Sequence, residues 1–135
     1  MSAKALTIIA EFARGAAGEA MSAPHALAAL AALGQPTRLA IFRLLMRREP
    51  NGLPAGAIAD AIGCADNTLS SHLAILARAN LVRGTRDGRS IVYRTDVEGM
   101  RALLAFLVTD CCGGRPEICG LDPARTCPPK RKRRR

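Results

Sequence analysis

Two runs of β-prone residues meet at Asp87-Gly88, and they constrain the fold of this 135-residue chain more than any other feature. Residues 81–86 read LVRGTR and residues 90–95 read SIVYRT. An Asp-Gly pair between two such runs is a strong signal for a tight β-hairpin, because both residues tolerate the positive φ angles of the turn. We therefore predict one short hairpin in a chain whose remaining periodicity is helical.

Apolar residues at helical spacing lie on both sides of the hairpin. Leu27, Leu30 and Leu33 are followed by Gly34, which predicts a helix that ends there. Pro36 suits the first turn of the next helix, for which we predict a broad buried face made of Leu39, Ile41, Phe42, Leu44 and Leu45. A short helix over 55–62 and a final helix over 97–110 complete a mainly α fold with a β-hairpin.

The segment 66–76 predicts a helix with two different faces. Leu69, Leu73 and Leu76 share one face, and short polar side chains crowd the first turns of the other: Asn67, Thr68, Ser70, Ser71 and His72. A DNA recognition helix needs such side chains, because its N-terminal residues contact base edges and its N–H groups contact phosphates. The alternative is that Asp66 caps the helix and the serines are solvated surface.

Arginines flank the tip of the hairpin that follows this helix. Arg86 and Arg89 stand on either side of the Asp-Gly turn. A short basic hairpin directly after a recognition helix makes a wing that can contact the DNA backbone or the minor groove. A solubilising hairpin is the alternative, but it explains the order of elements less well.

The charge of the chain favours an anionic polymer as partner. The formal charge is +9, and it remains +3 when the terminal run 130–135 is left out. Aromatic residues are few, with no Trp, one Tyr and three Phe, so the usual stacking platforms for single strands are scarce and double-stranded DNA fits better. No apolar run reaches the roughly 18 residues that span a bilayer. We expect a cytoplasmic protein with no membrane partner.

The final helix carries more apolar surface than so small a core can cover. We predict that it pairs with the first helix in a homodimer, through Leu27, Leu30, Leu33, Leu103, Leu104 and Leu107. A two-fold dimer can place two recognition helices about 34 Å apart, in successive major grooves. The alternative is that the apolar stripe packs entirely inside the monomer.

Three of the five cysteines lie within nine residues of one another: Cys111, Cys112 and Cys119. An odd count with this crowding argues against a secreted disulfide framework and for reduced thiols that act as ligands. Thiolates select soft, thiophilic ions. Cys64 is better interpreted as a small buried hydrophobe, and His25 has no second ligand near it in the sequence.

The stretch from His25 to Thr109 resembles the ArsR/SmtB family of winged helix-turn-helix, metal-responsive repressors. The resemblance is carried by LGQPTRL at 33–39, TLSSHLAIL at 68–76, Leu81-Val82, RDGR at 86–89 and Val92-Tyr93. It implies a homodimer that occupies operator DNA when free of its ion and leaves the DNA when the ion binds.

Two departures from the family pattern move the expected sensor site to the C-terminal cysteines. Residues 53–59 contain no cysteine, and the final helix contains no histidine. The chain is similar to a subgroup of arsenite repressors with a vicinal cysteine pair and one cysteine downstream. Trivalent arsenic is satisfied by three thiolates, so we predict As(III) as the inducer, with Sb(III) and trivalent organoarsenicals as related candidates.

Other uses of these thiols stay open. Adding Cys127 would give the four ligands that zinc prefers, in a zinc- or cadmium-responsive repressor or a structural zinc site. A thiol-redox sensor is another alternative, and a thiol oxidoreductase is the rival of a different class. Nucleophilic cysteines gain from a helix N-terminus, whereas Cys111 and Cys112 follow a helix C-terminus. We expect no enzyme and no catalytic cofactor.

These patterns divide the chain into four parts. Residues 1–24 are predicted to be an N-terminal extension and residues 25–110 the DNA-binding and dimerisation domain. Residues 111–127 form the cysteine segment, and residues 128–135 form a basic tail that would raise non-specific DNA affinity.

Overall fold

The computed structural model describes residues 21–111, 113 and 115. In chain order the elements are α1 (Ala23–Leu33), α2 (Pro36–Arg47), β1 (Leu53–Pro54), α3 (Ala55–Ile62), α4 (Asp66–Arg78), β2 (Val82–Asp87), β3 (Ser90–Thr95) and α5 (Val97–Phe106), and α5 continues into a π-helical turn (Leu107–Cys111). The strands form one antiparallel sheet in the order β1-β3-β2. The predicted class, mainly α with a β-hairpin, is confirmed.

The helices begin and end at residues that the sequence marks for this purpose. The Ser22 side chain accepts a hydrogen bond from the backbone N–H of His25 at 3.4 Å, so α1 begins two residues before the predicted boundary at residue 25. Pro36 opens α2, as predicted. Gly63 ends α3 with a φ of 76°, a left-handed conformation that glycine adopts without steric cost. The turn between α3 and α4 is thus short and defined.

The hairpin forms in the predicted region, but its turn lies one residue later than the predicted Asp87-Gly88 turn. Asp87 pairs with Ser90, which leaves Gly88 and Arg89 as a two-residue loop. Gly88 has a φ of 60°, which such a loop requires. The sequence did not reveal β1, a two-residue strand in which Leu53 pairs with Tyr93 of β3. So short a strand has no alternation to detect, and it joins the base of the hairpin to the start of α3.

The predicted buried face of α2 is only partly correct. Ile41, Phe42 and Leu45 are buried, and Leu44 is half-buried. Leu39 is 42% exposed, so its predicted burial is wrong. Successive residues of a helix turn by about 100°, which places Leu39 some 160° away from Ile41 and outside any stripe centred on Ile41 and Leu45.

Helix α1 buries its small residues and exposes its large ones. Ala26, Ala29 and Ala32 are at most 1% exposed, whereas Leu27 is 66% and Leu30 42% exposed. In α5, Leu103 is buried in the core of its own chain, while Leu104 is exposed and Leu107 is half-buried. Leu103 has therefore little surface to offer a second copy, unlike the exposed leucines of the same two helices.

The predicted final helix over 97–110 changes its winding before it ends. Its last residues, Leu107–Cys111, form the π-helical turn. Within the described residues no helix has both the length and the apolar character to cross a membrane. The predicted roles of Cys112, Cys119, Cys127, residues 1–20 and the basic tail fall on residues outside those described.

Candidate nucleic-acid interface

Helix α4 presents a polar surface at its N-terminal end. Its leucines, Leu69, Leu73 and Leu76, are at most 2% exposed and form part of the core. Burying this stripe turns the opposite side outward: Asn67, Thr68, Ser70 and Ser71 are exposed, and His72 is half-buried. We call these five residues the recognition surface. The structure brings all of them together on the first two turns of one helix.

The preceding helix holds α4 in place. In α3, Ile58 and Ala59 are buried in the core, and α3 packs against both α2 and α4. Cys64, in the connection between α3 and α4, is half-buried and packs against the core. Cys64 thus packs as a small hydrophobe, as predicted, but it is half-buried and not buried. Since α3 and α4 share one core, the recognition surface is carried by a rigid unit.

Hydrogen bonds within α4 determine what two of its hydroxyl groups can offer. The Ser70 Oγ donates to the Asp66 carbonyl oxygen at 2.9 Å, and the Ser71 Oγ donates to the Asn67 carbonyl oxygen at 3.2 Å. Each hydroxyl has one proton, so both serine oxygens are left as acceptors. They could receive a bond from the amino group of adenine or cytosine without any rearrangement of the helix.

Asp66 does not cap α4. The N-cap residue is Ala65, which has no side-chain capping hydrogen bond, and Asp66 lies in the first turn. The Asn67 side chain accepts a hydrogen bond from the backbone N–H of Thr68 at 2.9 Å. The alternative prediction that Asp66 caps α4 is therefore wrong.

His72 contacts a residue that the sequence prediction missed. The Nη1 of Arg38, in α2, lies 3.5 Å from the Nδ1 of His72. The same guanidinium donates from Nε to the Ala32 carbonyl oxygen at 2.8 Å and from Nη2 to the Ala31 carbonyl oxygen at 3.4 Å. The sequence marks Arg38 only by its place two residues after Pro36, and nothing local points to its partners.

The wing exposes its arginines. Residues 83–90 are all exposed, among them Arg86 near the end of β2 and Arg89 in the loop. Ion pairs in the described part of the chain join Arg83 to Asp96 at 3.9 Å and Arg101 to Glu98 at 2.9 Å, and neither involves Arg86 or Arg89. Arg86 and Arg89 thus form no ion pair with a described carboxylate, and with Asp87 between them the wing tip has a net positive charge.

The base of the wing holds a second basic pair, which the sequence prediction also missed. Arg83 and Arg94 are cross-strand partners and lie on the same face of the hairpin. Together with Ala77 of α4 they line a hollow of about 470 Å³. The register of β2 and β3 brings the two side chains together, and this register follows from the exact position of the hairpin loop.

Exposed leucines lie on α1 and α5. These helices pack against each other, and α1 also packs against α4. Cys111 is the last residue of the π-helical turn. Within the described ranges no group of three His, Cys, Asp or Glu side chains is arranged to hold a metal ion.

Comparison with known proteins agrees with this arrangement. A helix-turn-helix domain family matches residues 33–85. The HTH-type transcriptional regulators NmtR and KmtR of Mycobacterium tuberculosis are 40% identical over 75 residues and 36% identical over 86 residues. The matches cover 56% and 64% of this chain and 60% and 64% of those proteins, so the chain spans about three fifths of the length of these relatives.

A solved structure matches two thirds of the chain. It is the homodimeric winged helix-turn-helix DNA-binding domain of Mb0332 from Mycobacterium bovis, described as a possible ArsR-family transcriptional regulator. The match has 30% sequence identity and a TM-score of 0.53, and it covers 67% of this chain and 80% of that one. The winged helix-turn-helix expected from the hairpin and α4 is thus confirmed. The chain belongs to the ArsR/SmtB family of transcriptional regulators.

Proposed function

We propose that this chain is a homodimeric repressor that binds double-stranded operator DNA and releases it when As(III) binds to Cys111, Cys112 and Cys119. One observation carries the DNA-binding part. Helix α4 uses its leucines in the core and exposes four polar side chains beside the half-buried His72, next to a wing whose tip arginines are exposed.

The two surfaces suit different parts of DNA. Arg86 and Arg89 are exposed cations on a narrow hairpin, which suits phosphate oxygens and the minor groove. The recognition surface has short side chains with donors and acceptors at the start of a helix, which suits base edges in the major groove. The wing therefore supplies affinity and register, and α4 supplies sequence discrimination.

Exposed leucines support the homodimer. Leu27, Leu30 and Leu104 are between 38% and 66% exposed, and they lie on two helices that pack against each other. Burying a leucine side chain stabilises by about 1.5–3 kcal/mol, and in a two-fold dimer each leucine is buried twice. The homodimeric state described for Mb0332 supports the same assembly.

The chemistry of the cysteines supports As(III) as the inducer. Trivalent arsenic has a lone pair and three bonds to make, and this chain has three thiols within nine residues. Cys111 closes a π-helical turn, a rare conformation that is frequently found at functional sites. When bound, As(III) would draw the three thiolates to one point and so restrain the segment that follows α5.

Contacts between helices offer a route from the thiols to DNA. Helix α5 leads to Cys111 and packs against α1, and α1 packs against α4. An ion held after α5 can therefore favour a dimer geometry in which the two α4 helices no longer match successive grooves. The required coupling free energy is about 1–3 kcal/mol, and it must be reciprocal between ion and DNA.

The experiment begins by selecting binding sites for the parent protein from a random duplex library. Release from the selected DNA is then titrated with arsenite, zinc, cadmium and hydrogen peroxide. We expect release by arsenite in the parent and in the matched controls Cys64→Ser and Cys127→Ser. Cys111→Ser, Cys112→Ser and Cys119→Ser should each bind DNA normally and no longer respond.

Each other outcome has a distinct meaning. Release by zinc or cadmium alone, abolished in Cys127→Ser, would replace the arsenic site with a four-thiolate metal site. Release by peroxide alone would make the protein a redox sensor. Failure to select any DNA sequence would contradict the proposed repressor function itself.

A further inference from the structure

Arg38 is bound on one side to α1 and on the other to the recognition helix. Its guanidinium donates to the Ala31 and Ala32 carbonyl oxygens through Nη2 and Nε, and its Nη1 lies 3.5 Å from the Nδ1 of His72. Both Arg38 and His72 are half-buried. Among the described residues, no other hydrogen bond joins a side chain of the recognition surface to a residue outside α4.

Helix α1, and not α4, sets the position of this guanidinium. Ala31 and Ala32 belong to the last turn of α1, where carbonyl oxygens have no N–H partner further along the helix. The shortest bond that the Arg38 guanidinium makes is the 2.8 Å bond to the Ala32 carbonyl oxygen. A cation is also stabilised at a helix C-terminus by the helix dipole. Two hydrogen bonds to α1 therefore anchor the Arg38 guanidinium independently of its third contact, which is with His72.

That third contact favours one tautomer of His72 over the other. Arginine has only hydrogen-bond donors, so the Nδ1 that faces Arg38 must be an acceptor. In a neutral imidazole ring the proton then resides on Nε2. Nε2 is the ring nitrogen remote from Arg38, and it is left to donate a hydrogen bond.

We propose that Arg38 is a positioning residue that holds His72 with Nε2–H as a donor toward an acceptor on a DNA base. Guanine N7 and O6, adenine N7 and thymine O4 offer such acceptors in the major groove, whereas the amino groups of adenine and cytosine are donors and do not. The proposal rests on the DNA binding proposed above. It gives Arg38 a role in sequence discrimination without any contact between Arg38 and DNA.

The first test uses the DNA-free protein, so its result does not depend on the proposed function. Two-dimensional NMR of the imidazole nitrogens identifies the tautomer of His72. We expect only the Nε2–H form in the parent and in Arg43→Ala, which removes an equal charge from an exposed position of α2. Arg38→Ala should show a mixture of both tautomers. An Nδ1–H form in the parent would overturn the proposal.

The second test compares base preferences after selection from a random duplex library. His72→Ala and Arg38→Ala should lose preference, by about fivefold or more, at the same single base pair. The double variant should lose no more than either single variant. Arg43→Ala should keep the parent profile. An Arg38→Ala protein that binds all duplexes more weakly with an unchanged base profile would show that Arg38 only caps α1.

A conservative variant covers the case in which Arg38→Ala folds poorly. Arg38→Lys keeps a cation near the end of α1 but has one nitrogen in place of three, so it cannot bind Ala31, Ala32 and His72 in the same geometry. We expect a melting temperature close to that of the parent together with loss of preference at the same base pair. Retention of that preference would contradict the proposal, whereas failure of the parent to select any sequence would contradict the proposed function.

Discussion

Helices α1 and α4 both contain leucines at helical spacing, but the leucines of α4 face the core whereas two of those of α1 face outward. Helix α4 buries Leu69, Leu73 and Leu76 and exposes polar residues. Helix α1 buries only alanines and leaves Leu27 and Leu30 exposed. The exposed surface of each helix therefore suits a different partner. Helix α4 presents hydrogen-bonding groups suited to DNA, and α1 presents an apolar surface suited to a second copy of the chain.

Side-chain size explains how α1 can reverse the usual arrangement. Alanines on its inner face let its axis approach α2, α4 and α5 closely, because the distance between packed helices depends on the side chains between them. Leucines at those positions would separate the helices. The inner face of α1 is thus a packing surface, and its outer face keeps large side chains that the single chain does not bury.

The largest expected effect is on the free energy of unfolding, when one leucine of each helix is replaced with alanine. Leu76→Ala removes a fully buried side chain of α4 and should lower the free energy of unfolding by about 2–5 kcal/mol. Leu27→Ala, at a 66% exposed position of α1, should change it by much less in a protein kept monomeric by dilution. Urea unfolding at low concentration, followed by circular dichroism, measures both. Equal decreases would break the contrast between the helices.

The next effect concerns assembly. Leu27→Asp places a charge in the surface that we propose to be covered by a second copy. Since every leucine occurs twice in a two-fold dimer, the dissociation constant should rise more than tenfold, at about 1.4 kcal/mol for each factor of ten. Sedimentation equilibrium gives the constant directly. Ser71→Asp, on the exposed face of α4, is the matched control and should leave dimerisation unchanged.

The smallest expected effect is on the salt dependence of DNA binding, and it tests the surface proposed to contact DNA. Replacing Arg86 and Arg89 with alanine should reduce the dependence of the logarithm of DNA affinity on the logarithm of salt concentration, by about one for each phosphate that an arginine no longer neutralises. Fluorescence anisotropy at several salt concentrations measures this slope. Arg101→Ala, on α5, removes a charge that is paired with Glu98 and should leave it unaltered. An unchanged slope in the double wing variant would remove the wing from the interface.

Most elements could be predicted because their signals are local. Pro36 at a helix start, Gly63 at a helix end and Gly88 in the hairpin loop each act through the backbone preferences of one residue. The exposure of Asn67, Thr68, Ser70 and Ser71 could also be predicted, since the spacing of Leu69, Leu73 and Leu76 determines which side of α4 faces outward. These inferences needed no knowledge of the neighbouring elements.

Other features depend on partners distant in sequence. The burial of Leu39 was predicted wrongly, because the apolar residues of α2 surround more of the helix than its neighbours cover. The strand β1 exists only because β3 offers Tyr93 and Val92 as partners about forty residues later in the chain.

By itself the sequence determined the class of the fold, the order of its elements and the polar character of the recognition helix, since each follows from local conformational preference and hydrophobic period. The tertiary structure alone decided that α1 turns its alanines inward. It alone also decided that Arg38 contacts both α1 and His72, which lies 34 positions after Arg38. The physical reason is that periodicity shows which residues share a face, while the elements packed around a helix decide which face is covered and which polar groups meet.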